Sequence, residues 1–349
     1  MASVVPEHMT APSSAAPPMK VWQVWHGTHS FFCDGRIMVG PDIGVTIFAF
    51  LLTTSASATF WVFVCSSLPL LFVVIGVALY VQTVCFMAAT ATTDPGILPH
   101  NRSMDKAEAE ACAAEQRSVE VNGMQVPLKW CRTCRIWRPP RAAHCSECNV
   151  CVERFDHHCP WMGQCIGRRN YRFFLGFVNS VVALCCYTLV LSGYMCFRMV
   201  QASASSKPAS GGSRAGAHAV DSPVARAIDE HPAALVLVVL TCLIILCVGP
   251  LACYHCSLVC NNTTTAEEVK ETFADANPFS RGCAANCSEA CCDRREPPRV
   301  LPRALASEPE RVADTCHLIG DGQKEHEEDA RGANDGLRTG PQDTPLPAV

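Results

Sequence analysis

Ten cysteine and histidine side chains crowd residues 131–165: Cys131, Cys134, His144, Cys145, Cys148, Cys151, His157, His158, Cys159 and Cys165. Thiolates with imidazoles point to zinc over magnesium or calcium, which prefer oxygen. The pairs Cys131/Cys134 and Cys145/Cys148 have the C-x2-C spacing with which a tight turn offers two thiolates to one tetrahedral ion. Unmetallated free thiols are the competing reading, but the segment has little else from which to build a core. Two closed tetrahedral sites take eight ligands, which leaves two of the ten groups over. The run Asp156-His157-His158-Cys159 suggests which kind of groups these are. Neighbours along an extended chain point to opposite sides, so the two histidines cannot easily serve the same zinc. One completes a metal site while the other faces a different partner. A cysteine outside the ligand set, near a free imidazole and an orienting Asp156, makes a nucleophile, base and orienter arrangement.

The elements that must position this cluster are legible in the hydropathy. The chain has 349 residues and 24 cysteines. Its mean hydropathy is +0.15. Charged residues make up 17% of the chain, below the roughly 25% of a soluble domain. The apolar residues are clumped into four blocks, 43–64, 68–89, 173–195 and 233–252, each matching the roughly 20 residues of a spanning helix. Core helices of a soluble protein are the alternative, and four uncharged runs of this length weigh against it. The first, second and fourth blocks hold no Asp, Glu, Lys or Arg, which argues against a pump or channel. The chemistry therefore belongs to the loop between the second and third blocks. Seven cysteines clustered with histidines in that loop favour metal in a reducing compartment over a disulfide scaffold.

Charge sets the orientation. The 91–172 loop carries 12 Lys and Arg, the 201–232 loop three, and the segment after Cys260 ten. The positive-inside rule places the first and last of these in the cytosol, and four spans place the N-terminus there too. The expected fold is an α-helical polytopic membrane protein: four transmembrane helices with a cytosolic two-zinc cysteine-rich domain between the second and third. Its parts are a cytosolic segment 1–42, two spans within 43–90, a cytosolic loop 91–172 with its zinc-binding core at 129–171, and a span at 173–200. A lumenal loop 201–232, a span at 233–260, a cytosolic segment 261–292 and a disordered tail 293–349 complete it. Residues 1–18 lack a basic stretch followed by an apolar run, so no cleavable leader is expected. The N-x-S/T sites at Asn101, Asn262 and Asn286 all fall on the cytosolic side, where no glycan is added.

The stretch WCRTCRIWRPPRAAHCSECNVCVERFDHHCPWMGQCIGRRNY, from Trp130 to Tyr171, resembles the cysteine-rich domain of DHHC-type protein S-acyltransferases, the palmitoyltransferases. The likeness covers the cysteine spacing, the Arg138–Arg141 run, Asp156 to Trp161, and Cys165-Ile166-Gly167 followed by Asn170. Flanking motifs agree: Asp94-Pro95-Gly96, the TTxE motif Thr264 to Glu267, and Asn277 to Gly282 with Asn286. The run from Phe31 to Arg36 resembles the plant members and the yeast Ras-palmitoyltransferase subgroup. One departure is Gln164, where many members have Asn; it leaves every ligand intact.

The resemblance implies how the ligands divide. Cys131, Cys134, His144 and Cys151 would hold one zinc, and Cys145, Cys148, His158 and Cys165 the other, both structural because both are closed. His157 and Cys159 are left free. Cys159 would be the nucleophile that takes a long acyl chain from acyl-CoA, with His157 as base and Asp156 as orienter. The same resemblance implies an acyl-binding cavity among the four helices beneath Cys159. Arg135, Arg138 and Arg141 are candidates for the CoA phosphates, with attraction to anionic lipid headgroups as the alternative. For Thr264, Thr265 and Glu267 helix capping competes with contact to the active site, and for Asn277, Phe279 and Asn286 a structural role is favoured.

Implied partners are protein substrates, cytosolic or membrane-associated, with cysteines near the membrane, the lipid bilayer itself, and room for a small accessory subunit. Nucleic acid is not among them, because the cluster is tethered between two spans. The expected location is endomembrane (Golgi, ER) or plasma membrane, with active site and both termini cytosolic. The rival function is a membrane-anchored, RING-like zinc module without acyl transfer. Such a finger usually ends in a further C-x2-C pair, whereas this cluster ends in the single Cys165. The tail cysteines Cys287, Cys291 and Cys292 are expected near the membrane surface, either acylated or simply packed.

Overall fold

The computed structural model describes residues 19–205, 232–273, 276–292, 297–304 and 306. Among them four helices are long and apolar enough to cross a membrane: α1 (Ile43–Phe63), α2 (Leu70–Thr92), then, after the short α3 (Lys106–Ala114), α4 (Tyr171–Ser205) and α5 (Pro232–Asn261). Short helices α6 (Thr265–Val269) and α7 (Cys283–Cys292) follow. The long helices stay apolar on their outer faces, with Leu70 75% and Leu246 71% exposed. Only lipid accommodates apolar surface of that extent. The protein is a helical membrane protein.

Local sequence explains the turns. Between α1 and α2, Pro69 holds Leu68 extended and caps α2. Helix α4 begins two residues before the expected 173 and runs to Ser205, because Gln201–Ser205 offers neither Gly nor Pro to stop it. Its 35 residues make a rod of about 52 Å, longer than the hydrocarbon layer of about 30 Å. The helix thus emerges on one side. It packs closely on α2: a Cβ on Gly176 would lie 2.7 Å from the Phe86 ring. The Tyr187 hydroxyl also donates to the Phe72 carbonyl at 2.6 Å.

Before α1, strands β1 (Ser30–Phe32) and β2 (Ile37–Val39) form an antiparallel hairpin. The segment between α2 and α4 is built from short antiparallel pairs. Strand β3 (Ile97–Leu98) pairs with β8 (Val150–Val152), which pairs with β7 (Ala143–Cys145). Strands β4 (Arg117–Val121), β5 (Met124–Cys131) and β6 (Ile136–Arg138) form a second sheet. Its first turn, Asn122-Gly123, has positive φ at both residues, as a two-residue hairpin requires. Strand β9 (His157–Cys159) pairs with β10 (Gln164–Ile166). Arg135 and Asn149 directly follow the two C-x2-C pairs, and both take φ of 52°, so one left-handed turn geometry closes each.

Two findings add to the expected organisation. Residues 19–39, within the expected segment 1–42, dock on the cysteine-rich unit. The Thr28 N–H donates to the Cys148 carbonyl at 3.1 Å, and Trp25 packs against the core holding Cys145, Cys148 and Cys165. The expected disordered tail 293–349 is corrected at its start. Val300 is 6% exposed in that same core, and Arg299 pairs with Glu153 at 2.6 Å. The Val21 and Trp22 amides donate to Ala304 and Pro302 at 2.9 Å. Pro- and charge-rich composition concealed one buried valine and one paired arginine. Most of the expected lumenal loop, residues 1–18 and the tail from 307 onward lie outside the described residues.

Candidate active site

Two metal-binding sets assemble first. Sγ of Cys131, Cys134 and Cys151 and a nitrogen of His144 lie within 4.8 Å of one another, and so do the ligand atoms of Cys145, Cys148, His158 and Cys165. His144 Nδ1 is 3.4 Å from Cys134 and 3.8 Å from Cys151. His158 Nδ1 is 3.6, 3.3 and 3.7 Å from Cys145, Cys148 and Cys165. A tetrahedral zinc has S–S edges of about 3.8 Å and S–N edges of about 3.5 Å. The donor sets and spacings therefore fit Zn²⁺, with four ligands each and no open position.

Three features of these sets were not anticipated. His158 uses Nδ1 toward its thiols, while its Nε2 donates to Asp42 Oδ2 at 2.8 Å. That carboxylate–histidine pair fixes the imidazole, as is usual behind a metal ligand. Asp42 sits at the start of α1, so the second metal set is tied to the membrane helix. His100 Nε2 lies 3.4 Å from Cys134 Sγ. At the same junction, a Cβ on Gly40 would lie 2.1 Å from the Gly163 carbonyl, so glycine is needed where the DHHC turn meets α1.

Strand β9 divides its three side chains between two faces. Alternation sends His158 to the metal set and turns His157 and Cys159 to the opposite face. The register with β10 places Cys165 directly across from His158, so two ligands of one set face each other. On the other face, Asp156 is 1% exposed and lies 2.6 Å from His157 Nδ1 through Oδ2. Thr265 donates its N–H to Asp156 Oδ1 and its hydroxyl to Oδ2, both at 2.8 Å. Burial opposes ionisation of this carboxyl, but the His157 bond and charge and the Thr265 N–H outweigh it and hold its pKa below the usual value. Burial likewise opposes the His157 imidazolium. Its bonds to Asp156 and Cys159, and their charges, prevail and raise its pKa to about 9. The site thus favours the protonated form of His157, beside Cys159.

Cys159 lies where all four long helices meet. It is 7% exposed and shares an apolar cluster with Ala49 of α1, Met87 of α2, Phe174 and Val178 of α4 and Ala252 of α5. An apolar floor under this thiol suits a ligand with a hydrocarbon chain. Phe174 meets the His157 ring edge-on, with centroids 5.2 Å apart. Buried His255 of α5 lies 5.9 Å from the same ring and bonds the Tyr171 hydroxyl through Nδ1 at 3.1 Å. His255 was missed because the uncharged block ends before it. A histidine so close to an apolar span was the available signal.

The TTxE segment does both jobs considered for it. Thr264 and Glu267 form a reciprocal capping box for α6, and Thr265 holds Asp156. Glu267 in turn takes two bonds of 2.8 Å from Arg141, whose remaining donors reach the Asn262 side chain and carbonyl at 2.9 Å. The Arg141 guanidinium also lies over the Phe279 ring. The Arg141 donors in these bonds are turned inward, which weighs against the phosphate reading for this residue. Arg135 bonds the Met104 carbonyl and Arg138 the Lys129 carbonyl; both stay partly exposed, and neither contacts the Asp156–His157–Cys159 group. Asn277, Phe279 and Asn286 are structural. The Asn277 and Asn286 amides cap carbonyls at the end of α5, and the Phe279 carbonyl accepts from Asn262. Asn262 and Asn286 are 1% exposed, which shields both from glycosylation in the folded protein.

Other motif residues bind the unit to α2. Asp94 accepts from the Gly96 and Ile97 amides and pairs with Arg169. Gln164 donates to the Thr90 and Thr93 carbonyls at 2.7 and 3.0 Å.

The chain is similar in sequence to known proteins. Residues 125–272 match the family described as DHHC palmitoyltransferase. Protein S-acyltransferase 8 of Arabidopsis thaliana is 35% identical over 322 residues, covering 84% of this chain and 74% of its own. Palmitoyltransferase ZDHHC18 of Rattus norvegicus is 33% identical over 309 residues, covering 82% and 75%. The RING-like module finds no support in these relatives. Matched through its cysteine-rich unit and along most of its length, the chain belongs to the DHHC palmitoyltransferase family.

Proposed function

We propose that this palmitoyltransferase works through Cys159, carrying a long acyl chain from acyl-CoA to cysteine thiols of proteins at the membrane. The observation that carries the reading is the division of β9: His158 turned to a metal set, His157 and Cys159 turned to the junction of the four helices. His157 takes the Cys159 proton, with Asp156 fixing the tautomer and balancing the imidazolium. The Cys159 sulfur attacks the thioester carbon, its new C–S bond replaces the bond to CoA, and the CoA sulfur leaves with the proton from His157. In the second half-reaction a substrate thiol gives its proton to His157 and attacks the acyl-Cys159 carbon. Cys159 then leaves and recovers the proton. One thioester replaces another, so no nucleotide hydrolysis is required, and two covalent halves give ping-pong kinetics.

Zinc in the two closed sets would hold the cysteine-rich unit rigid and take no part in the exchange. Arg135 and Arg138 are the remaining candidates for the CoA phosphates. The acyl chain, at about 0.8 kcal/mol per buried CH₂, favours the apolar junction below Cys159. The basic 91–172 loop supports a cytosolic position for this face, where acyl-CoA is available, in an endomembrane or the plasma membrane. Purified protein should transfer an alkyne-tagged palmitoyl group to a lipid-anchored cysteine peptide, and Cys159→Ser should not, with its metal content unchanged. Transfer by Cys159→Ser at the wild-type rate would reject the assignment.

A further inference from the structure

A third group of thiols lies apart from both Cys₃His sets. Cys260 is in the last turn of α5, and Cys283 and Cys287 stand one turn apart on α7. Their Sγ atoms lie within 4.8 Å of one another. The acyl-transfer chemistry uses none of them. We propose that these three thiolates form a third metal site, for a soft, thiophilic cation of the zinc class, with its fourth position open to solvent.

The convergence is held by the backbone. Asn286 lies between Cys283 and Cys287 in sequence, and its Nδ2 donates to the carbonyl of Cys260 itself at 2.8 Å. The same amide reaches Ser280 at 3.0 Å, and its oxygen accepts from the Arg281 N–H at 2.9 Å. Further along α7, Glu289 pairs with Arg154 at 2.9 Å and Arg281 at 3.1 Å. These bonds set the register of α7 against the end of α5, and the register brings the thiols together. Small side-chain rotations close the group to the S–S edges of about 3.8 Å that a tetrahedral thiolate site needs.

The donor set selects the ligand. Three sulfurs without a carboxylate exclude magnesium and calcium and suit zinc or another soft cation. Cys283 is exposed, which gives the cation an entry path. A disulfide would join two of the thiols and strand the third. It is also disfavoured by location: the Arg154–Glu289 and Thr265–Asp156 contacts put this group on the same face as two thiolate-rich sets, which persist only under reducing conditions. A bound cation clamps α7 to α5 beside Asn262, the residue that holds both Arg141 and Arg154.

The test counts metal and reads independently of acyl transfer. Full-length protein in detergent and reductant is equilibrated with Zn²⁺, desalted, and assayed for zinc by elemental mass spectrometry. Wild type should carry one equivalent more than Cys283→Ala/Cys287→Ala and than Cys260→Ser. The variants should remain monodisperse and retain Cys159 autoacylation, which separates a lost site from a lost fold. Equal zinc in wild type and variants overturns the proposal. So does recovery of wild-type Cys283 or Cys287 capped by a hydroxylamine-labile acyl group, since an acylated thiol is no longer available as a thiolate ligand.

Discussion

Arg141→Met distinguishes a clamp from a phosphate ligand. The Arg141 and Glu267 side chains are 6% and 8% exposed and share two bonds of 2.8 Å. Removing one partner of such a buried pair leaves an uncompensated charge and costs about 3–5 kcal/mol. Glu267→Met should cost a similar amount, plus about 1 kcal/mol for the lost capping box at Thr264. In the double variant Arg141→Met/Glu267→Met no charge is stranded, and the loss should shrink to about 1–2 kcal/mol. The coupling between the two sites is then about 5 kcal/mol or more, over a thousandfold in an equilibrium constant. Unfolding of the four proteins by SDS titration in mixed micelles measures that cycle. The acyl-CoA KM is measured beside it and should be unchanged in the double variant. A raised KM for acyl-CoA in Arg141→Met, with normal stability and no rescue by the second substitution, would refute the clamp.

Asp42→Asn should lower zinc affinity of the Cys145/Cys148/His158/Cys165 set by about 10–100-fold, read by chelator competition; unchanged affinity would remove Asp42 from the metal's support. His255→Phe keeps the ring beside His157 but loses the Tyr171 bond, so autoacylation should slow by about tenfold at normal metal content, the equivalent of one bond of about 1.4 kcal/mol. Wild-type autoacylation would show that His255 only packs. Val300→Ala should destabilise the cysteine-rich unit by about 1.5 kcal/mol, seen as faster proteolysis there, and no change would mean that the 297–304 segment is not docked in solution.

What the sequence carried, and what it concealed, follow one physical division. That the segment offers ligands for two zincs was legible because ligand chemistry is local in type and spacing. Strand alternation added only that His157 and His158 face different partners; how the ligands divide, and which histidine is the ligand, was implied by the DHHC resemblance. The spans were legible because a bilayer imposes length and apolarity on each helix separately. Asp42 was not: it supports His158 from 116 residues away, and nothing in an acidic residue before an apolar block announces that partner. Arg141 looked like its basic neighbours, since a charge pattern does not say which guanidinium turns inward. Val300 and Arg299 were lost in a Pro- and charge-rich stretch, where one buried side chain outweighs the average composition.

The central claim is that Cys159, and no metal-binding cysteine, becomes the acyl-enzyme. Purified protein is mixed with palmitoyl-CoA in the absence of an acceptor, quenched in acid within one turnover, and mapped by peptide mass spectrometry. One hydroxylamine-labile palmitoyl group per chain should be found on Cys159, with Cys131, Cys134, Cys145, Cys148, Cys151 and Cys165 unmodified and their metal retained. A palmitoyl group that forms first on any of those six, or an unmodified Cys159 in protein that still transfers the chain, would contradict the account.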